Sequence, residues 1–209
     1  MEKIDILSLS PETLGQYLAE MGEPKFRAKQ LFSWLHQKQV TDFAQMTTLS
    51  LQLRQKLNEK FCINRLNIAR KLASSADDTV KYLYELPDGN FVETVLMDYH
   101  HGKSLCISTQ VGCRMGCQFC ASTIAGYVRD LQPSELLLQI YETQRDAGCR
   151  IDSIVLMGIG EPLDNFDNVV QFFRLLSHPD GMNMSLRHAA LSTCGLVPQI
   201  RQLADLRLG

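Results

Sequence analysis

The chain has 209 residues, 45% hydrophobic and 21% charged, with a formal net charge of −2, which is ordinary globular composition for one large domain or two small ones. No stretch reaches the apolar length of a membrane span, and Met1-Glu2-Lys3-Ile4-Asp5 lacks the basic-then-apolar pattern of a secretory leader, so a cytoplasmic protein with no membrane partner is expected. Seven cysteines, three of them within eight residues, argue against a secreted disulfide framework and point to metal or redox chemistry in a reducing compartment.

The first seventy residues read as helical. Ser10-Pro11-Glu12 supplies a cap and a first-turn proline, and Gly22 stops the helix. A second helix spans Phe26 to Gln37, with apolar residues at Ala28, Leu31, Phe32, Trp34 and Leu35. Ser50 caps a third, which sets Leu53, Leu57 and Phe61 on one face. From Pro24 to Lys71 the chain carries ten Lys/Arg against two Asp/Glu, a net of +8, so the remainder is acidic. Phosphate contacts need such cations, and the block suggests a polyanionic partner; a solvated helical surface is the plainer alternative.

From about Val80 the period changes. Lys81–Leu86 and Phe91–Met97 read as strands joined by the turn Pro87-Asp88-Gly89-Asn90, a hairpin between two domains. Beyond Lys103 strand and helix alternate. Ser104–Thr109 is a strand, Pro133–Ala147 a helix, Ser153–Met157 a strand, Asn168–Leu176 a helix, His188–Ser192 a strand and Val197–Leu206 a helix. Repeated βα units imply a parallel sheet or barrel, with the site at the C-terminal strand ends. The domain boundaries expected are 1–72, 73–102 and 103–209.

The strongest chemical signal is Cys113-Arg-Met-Gly-Cys117-Gln-Phe-Cys120. Three thiolates on one loop can hold three irons of a four-iron cube and leave the fourth iron open. Gly112 and Gly116 give the loop backbone freedom. A structural zinc site, completed by His100, His101 or Cys106, is the alternative. Met157-Gly158-Ile159-Gly160-Glu161-Pro162 follows the second barrel strand; its glycines allow close backbone approach, and Glu161 can accept from an ammonium or stand as a surface acid. Ser192, after the third strand, is a hydroxyl at the same rim or a helix cap. Glu93 lies in an apolar strand, either on its wet face or as a proton-handling acid, and Cys106 is core packing or a reactive thiol.

The spacing Cys-x3-Cys-x2-Cys matches the motif of the radical S-adenosylmethionine (SAM) superfamily. Phe91-Val92-Glu93-Thr94-Val95, Ser108-Thr109-Gln110-Val111-Gly112-Cys113, Cys117-Gln-Phe-Cys120-Ala121-Ser122, Met157-to-Pro162 and Leu191-Ser192-Thr193 together resemble the RlmN/Cfr group of radical-SAM RNA adenine methyltransferases. The resemblance implies a [4Fe–4S] cluster on Cys113, Cys117 and Cys120, with SAM contacted by Gly160, Glu161 and Ser192. It implies that Glu93 is the proton acceptor and that Cys106 is the cysteine that resolves a protein–RNA crosslink through a disulfide. It also implies methylation at carbon 2 of an adenosine in large-subunit rRNA, and in tRNA, by way of a methyl-cysteine, with an electron donor such as flavodoxin or ferredoxin. The Cfr branch, which methylates carbon 8, is the less favoured expectation. The basic helical region matches the group's RNA-contacting N-terminal part.

By the same resemblance the fold is α/β, a partial (β/α) radical-SAM barrel holding the first three of about six βα units, preceded by a small helical domain and a β-hairpin. The methyl-carrying cysteine falls outside these residues. Thr193-Cys194-Gly195 stands where relatives commonly have Thr-Ser-Gly, so Cys194 reads as a neutral variant. A half barrel leaves a strand edge and an inner face without partners, so a longer protein or a partner chain is expected.

Overall fold

The computed structural model describes residues 3–100 and 102–208. The N-terminal region holds β1 (Ile4–Asp5), α1 (Pro11–Glu20), α2 (Phe26–His36), α3 (Leu51–Lys60) and β2 (Phe61–Cys62), and β1 pairs with β2 in parallel. The caps are the expected ones. Ser10 Oγ accepts from Thr13 N at 3.2 Å and Ser50 Oγ from Leu53 N at 3.2 Å, each meeting an N–H that a helix start leaves orphaned. Leu14, Leu18, Leu31, Phe32, Leu35, Leu53, Leu57 and Phe61 form the core of this region.

The rest is organised on one sheet. Its strands are β3 (Asn67–Ala73), β4 (Val80–Glu85), β5 (Phe91–Tyr99), β6 (Gly102–Cys106), β9 (Ser153–Leu156) and β10 (Ala189–Leu191), in the order β10-β9-β6-β5-β4-β3. Between β6 and β9 lie the antiparallel pair β7 (Gln110–Gly112) and β8 (Tyr127–Asp130) and helix α4 (Pro133–Ala147). Helix α5 (Phe166–Ser177) follows β9, and α6 (Val197–Asp205) follows β10. Strands β6, β9 and β10 are mutually parallel, which gives the three barrel units. This is the expected partial α/β barrel.

Three details depart from the sequence reading. The first seventy residues are not all helical, since β3 begins at Asn67. The hairpin β4–β5 is not isolated: β3 adds before it and β6 after it, all antiparallel, so the meander runs directly into the barrel strands. The first barrel strand ends at Cys106, not Thr109.

Helix α4 is buried from Pro133 to Thr143, because it lies between the sheet and the N-terminal helices. Toward the sheet, Tyr84 Oη and Thr143 Oγ1 are 2.8 Å apart, Tyr82 Oη donates to Asp146 at 2.8 Å, and Thr94 Oγ1 donates to Gln139 Oε1 at 2.8 Å. Toward the helices, His36 Nδ1 meets Tyr141 Oη at 3.0 Å and Arg65 grips Glu142 with two 3.0 Å bonds. Buried polar groups need such partners, and here they set the register of α4 on both sides.

Candidate functional site

The cysteine loop hangs from a two-stranded clasp. β7 and β8 pair Gln110 with Asp130 and Gly112 with Tyr127, closing the loop at both ends. Gly112 has φ +73, and a Cβ there would collide with the carbonyl oxygen of Gly126. That same oxygen accepts from Cys113 N at 3.1 Å. Inside the loop, Cys120 N donates to Cys117 O at 3.0 Å and Thr123 Oγ1 to Cys120 O at 2.9 Å. Cys113 is buried, Cys117 and Cys120 are half-buried, and all three are free thiols.

The turn after β9 presses against the end of β6. A Cβ on Gly158 would sit 2.7 Å from Ile107 O, and one on Gly160, at φ +107, would sit 2.6 Å from Gln110 Cβ. Only glycine permits this approach. Glu161 is buried; its Oε1 accepts from Leu163 N at 3.0 Å and its Oε2 from Cys194 N at 2.7 Å. The carboxylate therefore ties the β9 turn to the β10 turn, and a carboxylate has further lone pairs for an ammonium ligand. Ser192 N donates to Leu156 O at 3.3 Å, which places its hydroxyl just beyond the end of β10.

Cys113, Cys117, Cys120, Gly160, Glu161 and Ser192 line one cavity of about 260 Å³, joined by Met115, Phe119, Met157 and Cys194. Six of the eight residues singled out by sequence thus meet at the C-terminal ends of β6, β9 and β10. Glu93 and Cys106 do not line that cavity. The register pairs Cys106 with Val95, two residues from Glu93, so both side chains lie on the sheet face turned away from α4. Glu93 Oε1 is 2.6 Å from Lys81 Nζ. Burial pushes the Cys106 thiol up, and a backbone bond from Met157, which does line the cavity, opposes it. Cys194 is pushed up to about 11 by desolvation and by the neighbouring Glu161 carboxylate.

The donor set fits an iron–sulfur cube. A mononuclear zinc site brings its ligands to one point, whereas the thiolates of a cube bind different irons. Here Cys113, Cys117 and Cys120 line one cavity, and thiolates are the ligands that such a cluster takes. His101, one candidate zinc ligand, lies outside the described residues.

Sequence reasoning missed the buried amides behind the site. Gln139, on α4, accepts from Ser108 N at 2.8 Å and donates to Ser108 O at 3.0 Å; Ser108 Oγ accepts in turn from Ile159 N at 3.0 Å. Gln110 Oε1 accepts from Glu161 N at 2.9 Å. The only sequence signal was an amide beside a hydroxyl pair in Ser108-Thr109-Gln110. The basic block is also less free than its count suggests. Arg27, Lys29, Lys60, Arg65 and Lys71 are engaged by Glu23, Asp180, Glu20, Glu142 and Asp146.

Two family models match: "Ribosomal RNA large subunit methyltransferase N-terminal domain" over residues 4–63, and "Radical SAM superfamily" over 107–208. A "Probable dual-specificity RNA methyltransferase RlmN" of Lachnoclostridium phytofermentans is 53% identical over 204 residues, 98% of this chain and 57% of the relative. One of Alkaliphilus oremlandii is 52% identical over 208 residues, 100% of this chain and 60% of the relative. A solved radical SAM methyltransferase from Sphaerobacter thermophilus superposes with a TM-score of 0.88 at 36% identity, covering 96% of this chain and 60% of that one. The chain spans roughly three fifths of the length of the curated relatives it matches. Among the described residues no helix is long and apolar enough to cross a membrane. With both models matched in order along it and relatives half identical across nearly all of it, the chain resembles the RlmN group of radical-SAM proteins over roughly three fifths of their length.

Proposed function

We propose that this chain provides the cluster- and SAM-binding part of an RNA methyltransferase that acts on carbon 2 of an adenosine in large-subunit rRNA and in tRNA. The observation that carries the reading is the shared cavity of about 260 Å³, where three cysteines face a buried glutamate and a serine across the ends of parallel strands. Cys113, Cys117 and Cys120 would hold a [4Fe–4S] cluster, and Gly160, Glu161 and Ser192 would hold SAM. When bound, the cluster supplies the single electron that cleaves SAM homolytically. Glu161 holds an ammonium in place, because two backbone N–H bonds already fix its carboxylate. Glu93 takes the proton from the adenine ring carbon, with Lys81 holding the acid on the inner sheet face. Cys106, as its thiolate, attacks the sulfur of the thioether that joins the base to a cysteine outside these residues; the S–C bond breaks, its electron pair goes to the methylene carbon, which takes up a proton to become the methyl group, and the two sulfurs are left as a disulfide.

Flavodoxin or ferredoxin is the proposed electron donor, and the cytoplasm, where ribosomes and tRNA reside, the proposed location. The division into a helical RNA-contacting region (1–72), a hairpin (73–102) and a barrel half (103–209) belongs to the same proposal. It is supported by family models that match on either side of the hairpin.

Anaerobic reconstitution with iron and sulfide tests the core of the reading. The expected product is brown, with about four irons and four sulfides per chain, and its reduced electron paramagnetic resonance signal changes on adding SAM. Cys113→Ala abolishes both. A colourless polypeptide without inorganic sulfide refutes the reading. With the remaining length of its relatives supplied, nucleoside analysis of treated RNA decides between carbon 2 and carbon 8.

A further inference from the structure

Asp164 joins the two halves of the site. Its Oδ2 accepts from Gln110 Nε2 at 2.8 Å and from Arg114 Nε at 2.8 Å. Arg114 stands between the first two cysteines, and its guanidinium stacks on the Tyr127 ring at 3.8 Å. Gln110 is fully buried; its Nε2 also donates to Asp130 Oδ1 at 2.8 Å and its Oε1 accepts from the Glu161 backbone N–H at 2.9 Å. Asp164 N itself donates to Glu161 O at 3.1 Å. A continuous hydrogen-bonded path, charge-assisted at Asp164, therefore runs from the cysteine loop, through Arg114, Asp164 and Gln110, to the backbone of Glu161.

We propose that Arg114, Asp164 and Gln110 form a bracket that sets the spacing between the cysteine loop and the Gly160–Glu161 turn, making Asp164 and Arg114 positioning residues for SAM. The proposal rests on the cluster-and-SAM reading above. Three of the bracket's features suit the task. The Asp164 carboxylate takes two donors on one oxygen, so neither neighbour can shift without breaking a bond to an ion, the stronger class of hydrogen bond. Gln110 uses both N–H groups and its oxygen, so its amide plane cannot flip without losing bonds at both ends. The loop itself is otherwise open, with Phe119 95% exposed and Ile124 85% exposed, so apolar packing does not hold it in place. None of the three touches the cavity, which is why their effect must pass through Glu161 and the cysteine loop.

The test uses the reconstituted chain and reads SAM binding, as the SAM-induced change in the reduced cluster's resonance signal, together with iron and sulfide content. Asp164→Ala is expected to weaken SAM binding by about tenfold, the scale of one lost charge-assisted bond network. Asp164→Asn keeps an acceptor for Gln110 and is expected to lose about half as much on a logarithmic scale. Arg114→Gln follows Asp164→Asn, and Arg114→Lys, which retains a cation, recovers most of the response. Arg114 is half exposed, so its variants test the bracket without threatening the fold. Thermal melting of the cluster-free chain is measured alongside: a purely structural role lowers melting and leaves the SAM response unchanged. That outcome, or an unchanged response in both Asp164→Ala and Arg114→Gln, overturns the bracket. A wild-type chain with no cluster, or with no SAM-induced change, sinks instead the reading on which it rests.

Discussion

Replacing Gln139 by methionine tests whether the site's scaffold is organised by polar contacts to α4. The side chain is fully buried. Its Oε1 accepts from Thr94 Oγ1 and Ser108 N, both at 2.8 Å, and its Nε2 donates to Ser108 O at 3.0 Å. Methionine is close in volume and flexible, so the cavity contribution is small. What remains is the stranding of the Ser108 N–H and C=O, which cannot rotate toward water, and of the Thr94 hydroxyl. At about 1–3 kcal/mol for each unsatisfied buried group, the two backbone groups alone set a loss of about 2–6 kcal/mol. For a chain of this size that lowers the melting temperature by roughly 10 °C. Thr94→Val is the companion: it leaves Gln139 bonded to Ser108 and should cost about 1 kcal/mol, or roughly 3 °C. Circular dichroism melts and urea titrations measure both. A Gln139→Met protein melting within about 2 °C of wild type would refute the reasoning, as would equal losses in the two variants.

Three further outcomes are expected. Gly160→Ala places a methyl group 2.6 Å from Gln110 Cβ and 2.7 Å from Gln110 N, in a backbone conformation that L-residues avoid; it should cost about 1–3 kcal/mol and abolish the SAM-induced signal while iron content persists. His36 is completely buried, and burial lowers its pKa from 6.5 to about 3. Between those values the unfolded chain binds the extra proton, so stability is full above pH 6.5 and is lost as pH falls, by about 2 kcal/mol at pH 5; His36→Gln should flatten that part of the stability–pH curve. Five of the ten cations in the basic block are engaged in ion pairs, so RNA binding through the other five should give a log–log salt slope no steeper than about −4.5 by anisotropy titration, and a slope near −9 would mean that the pairs open on binding.

What the sequence made legible follows from range. The cysteine cluster and its wrapping glycines fall within nine residues, and the caps at Ser10 and Ser50 act over three, so local spacing carries their meaning. The β3 strand was not legible because every residue from Asn67 to Ala73 is exposed, which removes the alternation that marks a half-buried strand. The clasp β7–β8 escaped notice because each strand has only three or four residues and pairs across a fourteen-residue loop. Gln110 and Gln139 escaped for a related reason. Apart from Glu135 O on the same helix, their partners are 20 to 54 residues away, and an amide says nothing of its acceptors until the chain has closed.

Glu93 shows the converse. Pattern left it either on a wet face or as a proton-handling acid, and the strand turns it away from α4, onto the sheet face that also carries Cys106. A strand in a barrel has two faces that both look half-polar in sequence when one of them lines a reaction chamber. The periodicity that tells core from solvent cannot tell solvent from active site. Here the register of β5 on β6 sets Glu93 on the same sheet face as Cys106, and Lys81 pairs with it at 2.6 Å, so it is the partners of the acid, and not the period of its strand, that bear on its role.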